Sequence, residues 1–104
     1  MIVGYHRAFP NDIRRFLEQY RRISLRLRER LKEEIEEGIE QVKGAPTSAG
    51  HFVNTGAKIV QSVRRYNLRK FPFFIVYSFD GERLFFGAIV PSRSDPLMWL
   101  ARWQ

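Results

Sequence analysis

The spacing of apolar positions changes along the chain, and each change predicts an element. Ile2 to Ala8 alternates, with Val3 and Tyr5 on one side and Gly4 and His6 on the other, which predicts a short strand. Pro10-Asn11-Asp12 stops it, and Asn11 is placed to accept the first amide hydrogens of a helix. Ile13, Phe16, Leu17 and Tyr20 then recur at i, i+3, i+4 and i+7, one apolar stripe with Arg14, Arg15, Arg21 and Arg22 off it. Ser24 predicts a second cap. Leu27, Leu31, Ile35, Ile39 and Val42 mark a second stripe, with Glu29, Glu33, Glu36, Glu37 and Glu40 largely outside it. Gly44 and Pro46 close that helix. The two helices meet near Arg21–Ser24 as a helical hairpin, and neither stripe is stable facing water.

Residues 45–57 lack any period and read as a loop, pinned by Phe52 and Val53. From Lys58 to Arg65 the pattern turns β-like through Ile59, Val60 and Val63. Phe71 to Phe79 is dense in aromatic and β-branched residues. Asp80-Gly81 follows as a hairpin turn, and Leu84 to Val90 returns. Pro91 ends the return strand. Pro96 opens a short final helix holding Met98, Trp99 and Trp103. The order β-α-α-β-β-β-α predicts an α+β fold, an antiparallel-rich sheet with the helical hairpin on one face. The 104 residues predict one domain, 1–104, with no linker or repeat.

Composition removes several chemistries. There is no cysteine, so a disulfide scaffold and a thiolate metal site are excluded. His6 and His51 lack a second ligand at helical spacing, so no metal or other cofactor is expected. No phosphate-binding glycine loop of the nucleotide hydrolases is present. No apolar run approaches the roughly 20 residues of a membrane span, and a cytoplasmic protein is expected. The glutamates of residues 29–43 read as a solvated helix face. What the charge adds is an excess of arginine: 18 Lys and Arg against 11 Asp and Glu, a net +7. Its planar fork suits phosphate or carboxylate oxygens, so nucleic acid or an acidic protein segment is the expected partner.

The remaining feature is the tract R-R-Y-N-L-R-K-F-P-F, residues 64–73. Side chains alternate along a strand, so Arg64 and Arg65 point to opposite faces. A two-residue turn at 80–81 would set position 79 opposite 82 and residue 70 opposite 91. That register gathers Arg69, Lys70 and Arg93 on one edge, with Arg65 nearby, as a cationic site for a target.

R-R-Y-N-L-R-K-F-P-F-F-I-V-Y (64–77), D-G (80–81) and G-A-I-V-P-S-R-S-D-P-L-M-W (87–99) together resemble the RelE/ParE superfamily, toxins of bacterial type II toxin–antitoxin (plasmid stabilisation) systems. The resemblance runs through the whole chain. It implies a cognate antitoxin that neutralises the toxin, a target that is either DNA gyrase or ribosome-bound mRNA, and a homodimer or a toxin–antitoxin heterotetramer. Arg93 falls at the late-strand arginine of the RNA-cutting members and would be the catalytic phosphate-stabilising group. Arg64, Arg65, Arg69, Lys70 and Trp99 would join it in binding the target. Phe74 stands where those nucleases carry an arginine, and Trp99 where they carry a tyrosine. Pro91 and Ser94 replace a histidine and a second arginine. These departures lean the resemblance toward a ParE-like gyrase poison. A RelE-like ribosome-dependent endoribonuclease is the alternative, followed by an inactive relic or a basic RNA-binding module. Leu97, Met98 and Trp99 are the expected antitoxin contacts.

Overall fold

A computed structural model of the chain describes residues 1–53, 62–94 and 97–103, with 97 and 98 described by backbone alone. The elements are β1 (Ile2–Tyr5), α1 (Phe9–Arg21), α2 (Leu25–Gly44), β2 (His51–Phe52), β3 (Val63–Asn67), β4 (Phe73–Phe79), β5 (Arg83–Pro91) and α3 (Leu97–Leu100), then a 3₁₀ turn at Ala101–Trp103. The five strands form one sheet in the order β1-β5-β4-β3-β2. β1 runs parallel to β5, and the remaining pairs are antiparallel. The fold is α+β.

The first helix begins earlier than its sequence signal. Pro10 sits inside the first turn, where its missing N–H costs nothing, so the cap falls on Ala8. Asn11 is not the cap; its side-chain oxygen accepts from Arg14 at 2.8 Å. His6 is satisfied, its Nδ1 accepting from the Ala8 N–H at 3.0 Å. Ser24 caps α2 as its position predicts, accepting from Leu27 N–H at 3.3 Å. A two-residue strand, β2, lies inside the segment read as a loop, and the residues 58–61 expected to start β3 lie outside the described ones.

The apolar stripes of α1 and α2 bury Phe16, Leu17, Leu31, Ile35 and Val42 against Phe73, Ile75, Tyr77, Phe86 and Ile89 of the sheet. Phe16 and Phe73 meet with ring centroids 4.7 Å apart. The opposite face is covered as well: Val63, Phe74, Val76 and Ala88 bury beneath Trp99, with Trp103 packed at the margin. Two covered faces explain why F-F-I-V-Y reads as an unbroken apolar run, since a strand buried on both sides has no polar face.

The β4–β5 turn is shifted by one residue from the expected one. Its central pair is Gly81-Glu82, with Asp80 N–H donating to Arg83 O at 3.3 Å. Gly81 holds φ +95°, which L-residues rarely adopt. Amides of Arg83 and Glu82 donate to the Asp80 carboxylate and hold its pKa below the ordinary value of 3.8. Phe79 therefore faces Leu84. An irregularity beside Gly87 adds a further residue of offset, so Pro91 faces Phe73 rather than residue 70.

Candidate functional site

The shifted register decides where the basic residues fall. Arg64 projects to the helix-covered side at the sheet margin. Its guanidinium lies 3.8 Å from the Phe52 ring centroid and donates to Thr47 O at 2.8 Å, tying β3 to the segment after α2. Arg65 takes the other face. It lies 3.8 Å over the Phe74 ring and donates through two nitrogens to Asn67 Oδ1. One strand thus sends its two adjacent arginines to opposite sides of the sheet, as alternation requires.

Arg69 and Lys70 lie in the turn between β3 and β4. Their backbone amides donate to the Glu34 carboxylate of α2, at 2.9 Å from Lys70. They line a depression of about 360 Å³ together with Arg30, Glu33, Glu34, Glu37 and Tyr66. Three carboxylates in the same depression balance the formal charge of the three cations, so the depression is not a purely cationic site. Glu34 is the residue that its sequence position leaves unremarked. It falls among glutamates that are mostly exposed, and only the folded turn brings two amides to it.

Arg93 is separate from that depression. It lines a second groove of about 640 Å³ with Phe16, Tyr20 and Ile23 of the first helix and its exit, Phe73, and Pro91. Ser92 N–H donates to Pro72 O at 2.9 Å, which holds Arg93 beside the start of β4. Arg69, Lys70 and Arg93 thus occupy the same end of the sheet but line two different concavities, not the single cationic edge expected from a turn at 80–81. Arg65 is on neither.

Trp99 is 2 % exposed and meets Phe74 edge-on, with centroids 6.4 Å apart. It is part of the second core, so its ring is not available for base stacking or for a surface contact; the apolar face of β4 needed a cover, and Trp99 supplies it. Side chains of Leu97 and Met98, expected at the same contact, lie outside the described ones. Among the described residues no group of three or more His, Cys, Asp and Glu side chains is arranged to hold a metal ion.

An ion pair absent from any local pattern completes the arrangement. Arg102 donates to both Asp12 carboxylate oxygens, at 2.6 and 3.2 Å, and to Gly87 O at 2.8 Å. Asp12 is 5 % exposed. β1 ends opposite Phe86, and Arg102 passes β5 just beyond that point to reach α1.

This architecture matches a chain of a solved structure described as the chromosomal ParDE TA system from P. aeruginosa. The match covers 88 % of this chain and 95 % of that one, with a TM-score of 0.60 and 20 % sequence identity. No family model and no curated protein matches the chain. No helix among the described residues is long and apolar enough to cross a membrane.

Proposed function

We propose that the chain is the toxin of a type II toxin–antitoxin system, a single-domain cytoplasmic protein neutralised by a cognate antitoxin, and that it acts in the ParE manner, by binding and poisoning DNA gyrase. Its fold likeness to a ParDE system supports the class. One observation carries the choice of target: the cations do not converge. Phosphodiester cleavage needs several preorganised donors around one phosphate. Here Arg64 and Arg65 take opposite faces, Arg69 and Lys70 share a depression with glutamates, and Arg93 borders an apolar groove. Phe74 and Trp99, at two positions where the nucleases carry polar groups, are buried against each other.

Purified protein added to DNA gyrase is expected to block supercoiling and accumulate cleaved DNA complexes. Gyrase left untouched at stoichiometric excess would overturn the choice of target. Primer extension on translated messages, run in parallel, should show no new 5′ ends. New ends that vanish in Arg93→Ala, with a rate loss on the order of 10²–10³, would install the endoribonuclease reading instead.

A further inference from the structure

We infer that the turn joining α1 and α2 is a foot that rests on an anionic lipid surface, with Ile23 and Leu25 entering the headgroup region and the surrounding arginines held at the phosphates. This contact is separate from the target and uses only residues of this chain.

Nearly all of the net charge sits around that turn. Residues 14–32 contain eight of the 18 lysines and arginines and two of the 11 acids, so eight bases less two acids leave +6 of the total +7. Both acids are already engaged: Glu18 by Arg21 at 2.6 Å, with Arg22 at 3.8 Å, and Glu29 by Arg28. Arg22, Arg26 and Arg30 are exposed, Arg22 with 75 % of its side chain open. At about 1.5 Å of rise per residue, Arg14 and Lys32 lie within roughly 15 Å of the turn along their helices. Beyond Lys32 the sign reverses, and Glu33, Glu36, Glu37 and Glu40 are exposed on the far half of α2. An anionic surface therefore attracts the turn and repels the other end of the same helix, which sets the orientation.

Charge alone fits any polyanion; the apolar residues among the arginines select a lipid. Ile23 and Leu25 are 72 % and 65 % exposed, the two most exposed large apolar side chains among the described residues. They flank Ser24, whose hydroxyl oxygen accepts the Leu27 amide and whose own amide donates to Tyr20 O at 2.9 Å, so the turn holds both aliphatic chains in water. An aliphatic pair framed by cations suits the boundary between headgroups and acyl chains. Arg22 and Arg26, next to the pair, have long apolar stems that let their guanidinium groups stay at the phosphates while the turn sinks in.

A nucleic acid would use the cations and leave the aliphatic pair in water. Tyr20, the aromatic residue nearest the turn in sequence, packs edge-on against Phe71 and Phe73 rather than offering its face to a base. The lipid contact is shallow and reversible, since no helix among the described residues is long and apolar enough to cross a membrane.

The test is co-sedimentation of the full chain with vesicles of phosphatidylcholine alone and of phosphatidylcholine containing about one-third phosphatidylglycerol, at low and high salt. Binding is expected to the anionic vesicles only, and to fall as salt rises. Ile23→Ser/Leu25→Ser and Arg22→Gln/Arg26→Gln are each expected to weaken it at least roughly tenfold. The arginine variant should also flatten the salt dependence, whereas the aliphatic variant should leave it unchanged. Ile2→Ser, exposed on β1 before the start of α1, should bind as the wild type does. Circular dichroism confirms that each variant is folded. Failure to bind the anionic vesicles, equal binding to the neutral ones, or an aliphatic variant that binds undiminished each overturns the inference. So does a duplex DNA fragment that binds more tightly than the vesicles and is lost with the arginine variant but not with the aliphatic one, which assigns the turn to nucleic acid. If the free chain is a dimer that Ile23→Ser/Leu25→Ser dissociates, the pair belongs to a second copy and the inference is likewise overturned. Gyrase inhibition is read separately, so a chain that blocks gyrase and ignores vesicles removes the lipid contact and leaves the target standing.

Discussion

Arg102 and Asp12 are 90 residues apart in the chain and form a two-pronged ion pair at 2.6 and 3.2 Å that crosses β5 at Gly87, just beyond the end of β1. The pair fastens the segment covering the second face of the sheet to the helix covering the first. Removing the arginine leaves the buried carboxylate with only the exposed Arg15, 4.0 Å away, as counter-charge, whereas removing both charges leaves no such debt. Arg102→Met is expected to lower unfolding free energy by about 3 kcal/mol. The double variant Asp12→Leu/Arg102→Met should recover most of that loss, as read by urea denaturation of the three proteins.

Gly87 lies under the Trp103 ring, and an added Cβ would overlap it. Gly87→Ala must push the indole off the sheet, costing about 1–3 kcal/mol. The check is a lowered melting temperature together with a red-shifted tryptophan emission, since the displaced ring meets water.

Tyr77 is enclosed on the helix side and donates its hydroxyl to Pro46 O at 2.9 Å. Burial pushes its pKa above the ordinary 10.0, against the opposing pull of nearby Arg64 and the Gly50 amide. The unfolded phenol therefore ionises first as pH rises. Its contribution to stability is intact below 10.0 and declines from there up to the folded value. Tyr77→Phe should cost about 1 kcal/mol at neutral pH through the lost hydrogen bond. Above the ordinary value the difference between variant and wild type should narrow, measured by paired urea denaturations.

Ser24 starts α2 by accepting the Leu27 amide at 3.3 Å. Ser24→Ala is expected to cost about 1 kcal/mol, and Ser24→Asp to retain most of the stability. Thermal unfolding followed at the helix signal tests both.

Much of the fold was legible because its determinants are local. The i, i+4 stripe from Leu27 to Leu31 and Ile35 marks α2, and Ser24 marks its start. The run F-F-I-V-Y marks β4, and its lack of a polar face already implied a cover on both sides. That signal was sufficient to bury Trp99, yet the short C-terminal helix invites reading as surface when the sheet is counted as one-sided. The sequence signal sets the turn one residue early because Asp80-Gly81 also fits a turn in which Asp80 stands outside the central pair and accepts two amides.

The sequence by itself determined the elements apart from β2, their order and the class of fold, because helical and strand periods are written into neighbouring residues. It also determined the arginine excess. Only the tertiary structure decided how that charge is divided. Register offsets at Gly81 and Gly87 moved Pro91 opposite Phe73, alternation sent Arg64 and Arg65 apart, and chain closure brought Arg102 to Asp12. Each depends on which faces and edges meet across many residues, and one residue of offset in a turn carries through the whole strand behind it.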